Sequence, residues 1–330
     1  MNEQTQDSKS LESESSEIKP KRGYIVPISF LISFLIIAGA FSYNNGFQLP
    51  QKKQTKIHSS SKKEVTANSL PSLDEKSLKE LEEKVLPPEG MVLPIVWGDL
   101  GAKMIDSGVI DGAKFEQLYT NRGGLDNETK NLLYGKNNGN LKINSENSGT
   151  ILNLLWALGL GTKNDILEKG PMNDKKYNGA ENFASTGGWT LAKGEAMNYY
   201  SKYPFIILTP EQQSLLERVS KNIYRSCCNN STYFPDCNHG MAMLALLELM
   251  ASQNVSENEM YQVALKINSF WFPDTYLTIA QYLKLKKSIE WEKVDPKEIL
   301  GAEYSSASGY QKILSQVTPP EQGSSGSCGV

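Results

Sequence analysis

The stretch KNIYRSCCNNSTYFPDCNHGMAMLALLELMA, Lys221 to Ala251, decides how this chain is read. Its second half, Gly240 to Ala251, is apolar on nearly every helical face, and a helix of that kind belongs inside a core. Its first half carries three of the four cysteines, Cys227, Cys228 and Cys237. His239 follows directly, and the only other histidine, His58, sits in a polar segment. Soft ligands are thus gathered at the edge of the predicted core. Pro235 and Asp236 are start signals for the apolar helix, which puts Cys237 and His239 at its N-terminal edge. Cys227 and Cys228 are predicted at the C-terminal end of the helix that opens at Pro210. The intervening NNSTYFPD is long enough to turn the chain back.

Helical spacing of apolar residues recurs on both sides, and no run alternates convincingly with period two. SLDEKSLKELEEKVL, Ser72 to Leu86, is a charged helix with Leu78, Leu81 and Val85 on one face, stopped by Pro87-Pro88. WGDLGAKMIDSGVIDGAKFEQLY gives two short helices around Gly108, with Asp111 capping the second. Asn and Gly between Thr120 and Ser148 mark loops around one short helix near Leu132. SGTILNLLWALGLG, Ser148 to Gly161, is apolar all round yet too short to span a bilayer, so it is a core helix and Asn153 in it a satisfied amide. A further amphipathic helix is predicted from Trp189 through Tyr200. The preceding FASTGGW lacks the strand and GK[ST] ending of a phosphate cradle and reads as a turn.

Thr209-Pro210-Glu211-Gln212, Ser256-Glu257-Asn258-Glu259 and Asp295-Pro296-Lys297-Glu298 each set an oxygen cap three residues ahead of Glu or Gln. The helix after Ser256 carries Met260, Val263, Ala264, Ile267 and Trp271 as one stripe. Pro273-Asp274 opens another, and a last one covers about Gly309 to Val317. The predicted fold class is all-α, an irregular multi-helix globular bundle over 72–317, followed by a loose tail at 318–330 that bears Cys328.

Residues 1–22 are polar and predicted to be disordered. YIVPISFLISFLIIAGAFSY, Tyr24 to Tyr43, is uncharged, and twenty residues at about 1.5 Å each span the roughly 30 Å of a hydrocarbon core. Residues 24–43 are therefore predicted to be a transmembrane anchor, with Tyr24 and Tyr43 at the interfaces. Ala38-Gly39-Ala40 also fits a signal-peptide cleavage site, but the apolar run continues past it and the preceding region is long. Residues 44–71 read as a flexible stalk. Lys19, Lys21 and Arg22 favour a cytoplasmic N-terminus, which predicts a single-pass protein of the cytoplasmic (inner) membrane with its domain on the extracytoplasmic side.

A net charge of -3 supplies no basic field for phosphates, which excludes nucleic acid as a partner. With one histidine in the domain, His-dependent hydrolytic triads and HExxH zinc sites are excluded too. Asp236, Glu248 and Asp274 show no acid–base spacing and read as solvated charges.

Three chemistries fit the cysteines. Thiolates with an imidazole suit zinc, copper or iron, so Cys227, Cys228, Cys237 and His239 are the predicted ligands of a transition metal, for metal handling or electron transfer. Met241 and Met243 are nearer to core packing than to ligation. Alternatively, Cys237 at a helix N-terminus has a lowered pKa and acts as a membrane-tethered thiol-disulfide oxidoreductase, resolved by Cys227 or Cys228. The third reading is a non-catalytic interaction module braced by one disulfide from Cys237. Cys328, on its flexible arm, is a candidate fourth ligand, a resolving thiol or the link of a dimer.

Overall fold

The computed structural model describes residues 70–320. Among them are thirteen α-helices and a single two-stranded antiparallel sheet. In chain order these are α1 (Glu75–Val85), β1 (Met91–Gly98), α2 (Leu100–Ser107), α3 (Gly112–Thr120), α4 (Asn127–Tyr134), β2 (Asn138–Ile143), α5 (Ser148–Gly161) and α6 (Asp165–Lys169). After a long irregular segment come α7 (Pro210–Ser220), α8 (Asn238–Ser252), α9 (Glu257–Trp271), α10 (Pro273–Tyr282), α11 (Pro296–Ile299), α12 (Ala302–Ser305) and α13 (Ala307–Leu314).

The centre is the pair α5 and α8. From Thr150 to Gly161 and from Asn238 to Ala251 every residue is buried, as their all-round apolar sequences require. The two backbones approach so closely that a Cβ on Gly159 would lie 2.4 Å from the Met241 carbonyl oxygen. Helix α9 adds its predicted stripe, with Met260, Val263, Ala264, Ile267 and Trp271 all buried. Asn153 inside α5 is satisfied as expected, its amide donating to the Tyr119 hydroxyl at 2.8 Å.

The helix starts follow their caps. Thr209 forms a full capping box with Gln212, Ser256 accepts from Glu259 N–H, and Asp111 accepts from Ala113 and Lys114 N–H. Asp295 caps α11, which is only four residues long.

Helix-rich character holds, but the structure corrects the expectation in several places. Strand β1 pairs with β2 from Met91↔Ile143 to Gly98↔Asn138, with an irregularity between Val92 and Val96. Leu93, Ile95 and Trp97 point into the core while Val92 and Val96 are 62% and 49% exposed. The strand does alternate in burial. Its outward residues are apolar too, so its hydropathy does not. The predicted helix from Trp189 to Tyr200 is absent except for one 3-10 turn, Ala196–Asn198. That segment is spent on the 108–111 loop instead. Asp111 N–H donates to Leu191 O, Lys193 N–H to Gly108 O, and the Trp189 indole to Val109 O, before Gly194 turns at φ +84.

The expected tail (1–22), membrane segment (24–43), most of the stalk (44–71) and Cys328 lie outside the described residues. Among the described residues no helix is long and apolar enough to cross a membrane. The two ends of the described chain meet: Thr318 N–H donates to Pro71 O at 3.1 Å, and its hydroxyl to Leu70 O at 3.0 Å.

Candidate metal and thiol centre

Helix α7 ends at Ser220, so Cys227 and Cys228 do not cap it as predicted. They lie in a loop, 221–237, that is pinned at many points. Tyr224 N–H donates to Leu300 O at 2.8 Å, and the Tyr224 carbonyl accepts from the Asn268 amide at 3.1 Å. Ser226 and Thr275 hydroxyls are 3.0 Å apart, and the Cys228 carbonyl accepts from Ala307 N–H at 2.9 Å. At the far end Ser185 N–H donates to Asp236 O, and Phe234 packs edge-on against Phe183, 5.4 Å between centroids. A loop so tied presents its cysteines in fixed positions although it has almost no regular structure.

The result is a sulfur cluster. The Sγ atoms of Cys227, Cys228 and Cys237 all lie within 4.8 Å of one another, a group that could hold a metal ion. The Cys227 and Cys237 sulfurs are 3.5 Å apart, and no disulfide joins the three. Cys227 is exposed, the other two half-buried. Cys237 is the N-cap of α8, its sulfur accepting from Gly240 N–H at 3.4 Å, so the sequence expectation that it sits on that helix edge holds.

Arg225 organises the cluster. It is 1% exposed, and its Nε donates to the Cys237 sulfur at 3.0 Å. Its Nη1 donates to Asn230 O at 3.0 Å, while Nη2 donates to Phe234 O at 3.1 Å and pairs with Asp236. Asp236 in turn accepts from the Asn230 amide at 2.7 Å. A buried guanidinium is tolerated only with this degree of satisfaction. Gly240 makes room for it: a Cβ there would lie 2.5 Å from Nη2. The signal in the sequence was an arginine two residues before a cysteine pair, followed by an Asp beside the third cysteine.

Electrostatics separate the three thiols. Hydrogen bonds from Cys227 and Cys228 hold Cys237 well below the ordinary thiol range; burial opposes them, and Arg225 and His239 add to the lowering. Cys227 is pushed far up by its hydrogen bonds to Cys228 and Cys237 and by burial. For Cys228 the bond to Cys227 pulls down, but Cys237 and burial outweigh it and raise the thiol to about 11. The cluster therefore places one negative charge first on Cys237.

His239 departs from the expected four-ligand set. Its imidazole is 4% exposed, its ring 4.4 Å from Phe272 and 5.8 Å from Trp271 between centroids, and Nδ1 has no hydrogen-bond partner. It neighbours Cys237 but is not among the ligand atoms that lie within mutual reach. His239 stands two residues past Cys237 on α8, with its ring packed on Phe272 and Trp271. Glu248, expected in solvent, is fully buried in α8 with neither oxygen hydrogen-bonded, and burial raises its carboxyl well above the usual range. A surface cavity of about 670 Å³ opens beside Lys163, Ile207 and Pro210, and none of the cysteines lines it.

The chain matches no protein-family model, no curated protein and no solved structure.

Proposed function

We infer that this chain binds a soft transition metal ion, zinc or copper, through Cys227, Cys228 and Cys237, and serves to hold and pass on that ion. The single observation behind the reading is the convergence of three sulfurs within 4.8 Å. A zinc ion about 2.3 Å from sulfurs at tetrahedral angles sets them roughly 3.8 Å apart, close to the 3.5 Å between Cys227 and Cys237. Charge supports it as well. Three thiolates around a divalent ion leave one net negative charge, and the buried Arg225 offsets it. Among the described residues the set holds three thiolates and no fourth ligand, and Cys227 is exposed; an open position of that kind lets the ion be exchanged with a partner's ligands. That favours metal handling over electron transfer. In this reading the apolar segment 24–43 tethers the domain to the inner membrane, with the site on the extracytoplasmic side.

The test is metal analysis of the full chain purified under reducing conditions. About one equivalent of zinc or copper is expected, falling to background in Cys237→Ser and unchanged in Cys328→Ser. Absence of bound ion after reconstitution, or retention in a Cys227→Ser/Cys237→Ser double variant, overturns the reading.

A further inference from the structure

We propose that the metal-free chain reduces hydroperoxides, with Cys237 attacking, Cys227 closing the disulfide and Arg225 holding the nucleophile in place. The inference goes beyond metal binding and does not require it: the same sulfurs serve either an ion or a peroxide, so each excludes the other.

Three observations carry it. Cys227 and Cys237 sulfurs are 3.5 Å apart, and an approach of roughly 1.5 Å makes a bond of about 2.0 Å. Second, the Cys237 sulfur is addressed by two donors, Arg225 Nε at 3.0 Å and Gly240 N–H at 3.4 Å, which fix its orientation. Arg225 itself is locked by Asn230, Phe234 and Asp236, so this donor is pre-positioned. Third, access is graded. Cys227 is exposed and Cys237 half-buried, a difference that suits a small O–O substrate better than a bulky protein disulfide.

The reaction balances as follows. The Cys237 thiolate attacks the distal peroxide oxygen, the O–O bond breaks, and the leaving alkoxide or hydroxide takes a proton from solvent to give an alcohol or water and Cys237 sulfenic acid. The Cys227 thiol then attacks the sulfenic sulfur, forming the S–S bond and releasing water. Two electrons pass from two thiols to one peroxide. A second turnover takes a small dithiol, which reduces the disulfide and is itself oxidised. Cys228 is not consumed. A Cys227–Cys228 bond would join adjacent residues under strain.

The experiment uses the full chain, reduced, stripped with chelator and treated with one equivalent of hydrogen peroxide. Free thiols are expected to fall from four to two. Cleavage after Tyr233 should leave the Cys227 and Cys237 fragments joined. Cys228→Ser keeps the disulfide, whereas Cys227→Ser stops at a Cys237 sulfenic acid that dimedone captures. Arg225→Gln slows peroxide consumption about tenfold or more, and Arg225→Lys restores part of the rate, a rescue that a merely structural arginine does not predict. Thiols that survive peroxide, a disulfide that forms equally well without Cys227, or sulfenic acid appearing first on Cys227 overturns the proposal. A chain that forms the disulfide but never binds zinc or copper sinks the metal reading alone; one that binds the ion but resists peroxide sinks this one alone.

Discussion

At the scale of single residues, Arg225 and Glu248 are both buried charged side chains, and they are handled in opposite ways. Arg225 is buried with its donors matched; Glu248 is buried with nothing. A raised carboxyl pKa in the folded state means stability that is full below the ordinary carboxyl pKa and is lost as pH rises above it. The loss accrues at up to about 1.4 kcal/mol per pH unit until the folded group itself ionises. Glu248→Gln removes that burden, so its melting temperature should exceed that of the parent, and by more at pH 8 than at pH 5. At this size about 1 kcal/mol shifts melting by roughly 2–4 °C, well within reach of calorimetry. An equal gain at both pH values would show that the carboxyl has no such liability. A second substitution tests Arg225. Gly240→Ala puts a Cβ 2.5 Å from the guanidinium, so despite the better helix propensity of alanine it should destabilise by about 1–3 kcal/mol. In an Arg225→Ala background the same change should cost less by about 1 kcal/mol, because the clash is gone. Chemical denaturation of the four proteins reads this coupling. The sequence made the cysteines legible because they are rare and adjacent. It hid Arg225 and the fate of Glu248, since nothing local distinguishes a solvated charge from a buried one.

At the scale of elements, what was legible is what is local. Thr209, Ser256 and Asp111 announce their helices because a cap acts on the next three residues. The all-round apolar α5 and α8 announce burial for the same reason. Strand β1 was illegible because MVLPIVWG is apolar on both faces and holds Pro94, a residue central strands exclude. Its partner β2 is 40 residues away, beyond any local signal. Nothing local in 221–237 signals that α7 stops at Ser220 rather than running on to Cys227, because the order of this loop comes from distant donors such as Ala307 and Asn268. One long-range contact gives the strand its edge. The Gln253 side chain accepts from Val96 N–H at 2.8 Å and donates to Val96 O at 2.9 Å, imitating a neighbouring strand. Gln253→Ala should cost about 0.5–1.5 kcal/mol. Amide exchange at Val96 should quicken, with α5 unaffected. Unchanged protection at Val96 would mean that the amide contributes nothing to the edge.

At the scale of the whole molecule, the sulfur cluster stands at the N-terminal end of α8, the helix around which the core is assembled. Ligand binding there bears on global unfolding, since the loop it ties is bonded to α9, α10 and α12–α13 through Asn268, Thr275 and Ala307. An ion that binds the folded cluster and not the unfolded chain stabilises by RT ln(1 + [L]/Kd), about 2.7 kcal/mol at a hundredfold excess over Kd. For a domain of this size that corresponds to roughly 5–10 °C. Zinc added to the reduced full chain should therefore raise its melting temperature by that order and do so in proportion to the logarithm of free zinc. In Cys227→Ser and Cys237→Ser the response should vanish, whereas in Cys328→Ser it should persist. Prior oxidation by peroxide should erase it too, because the disulfide consumes two of the three ligands. A zinc response that survives loss of both Cys227 and Cys237 would place the ion elsewhere. The cluster would then be left with thiol chemistry alone.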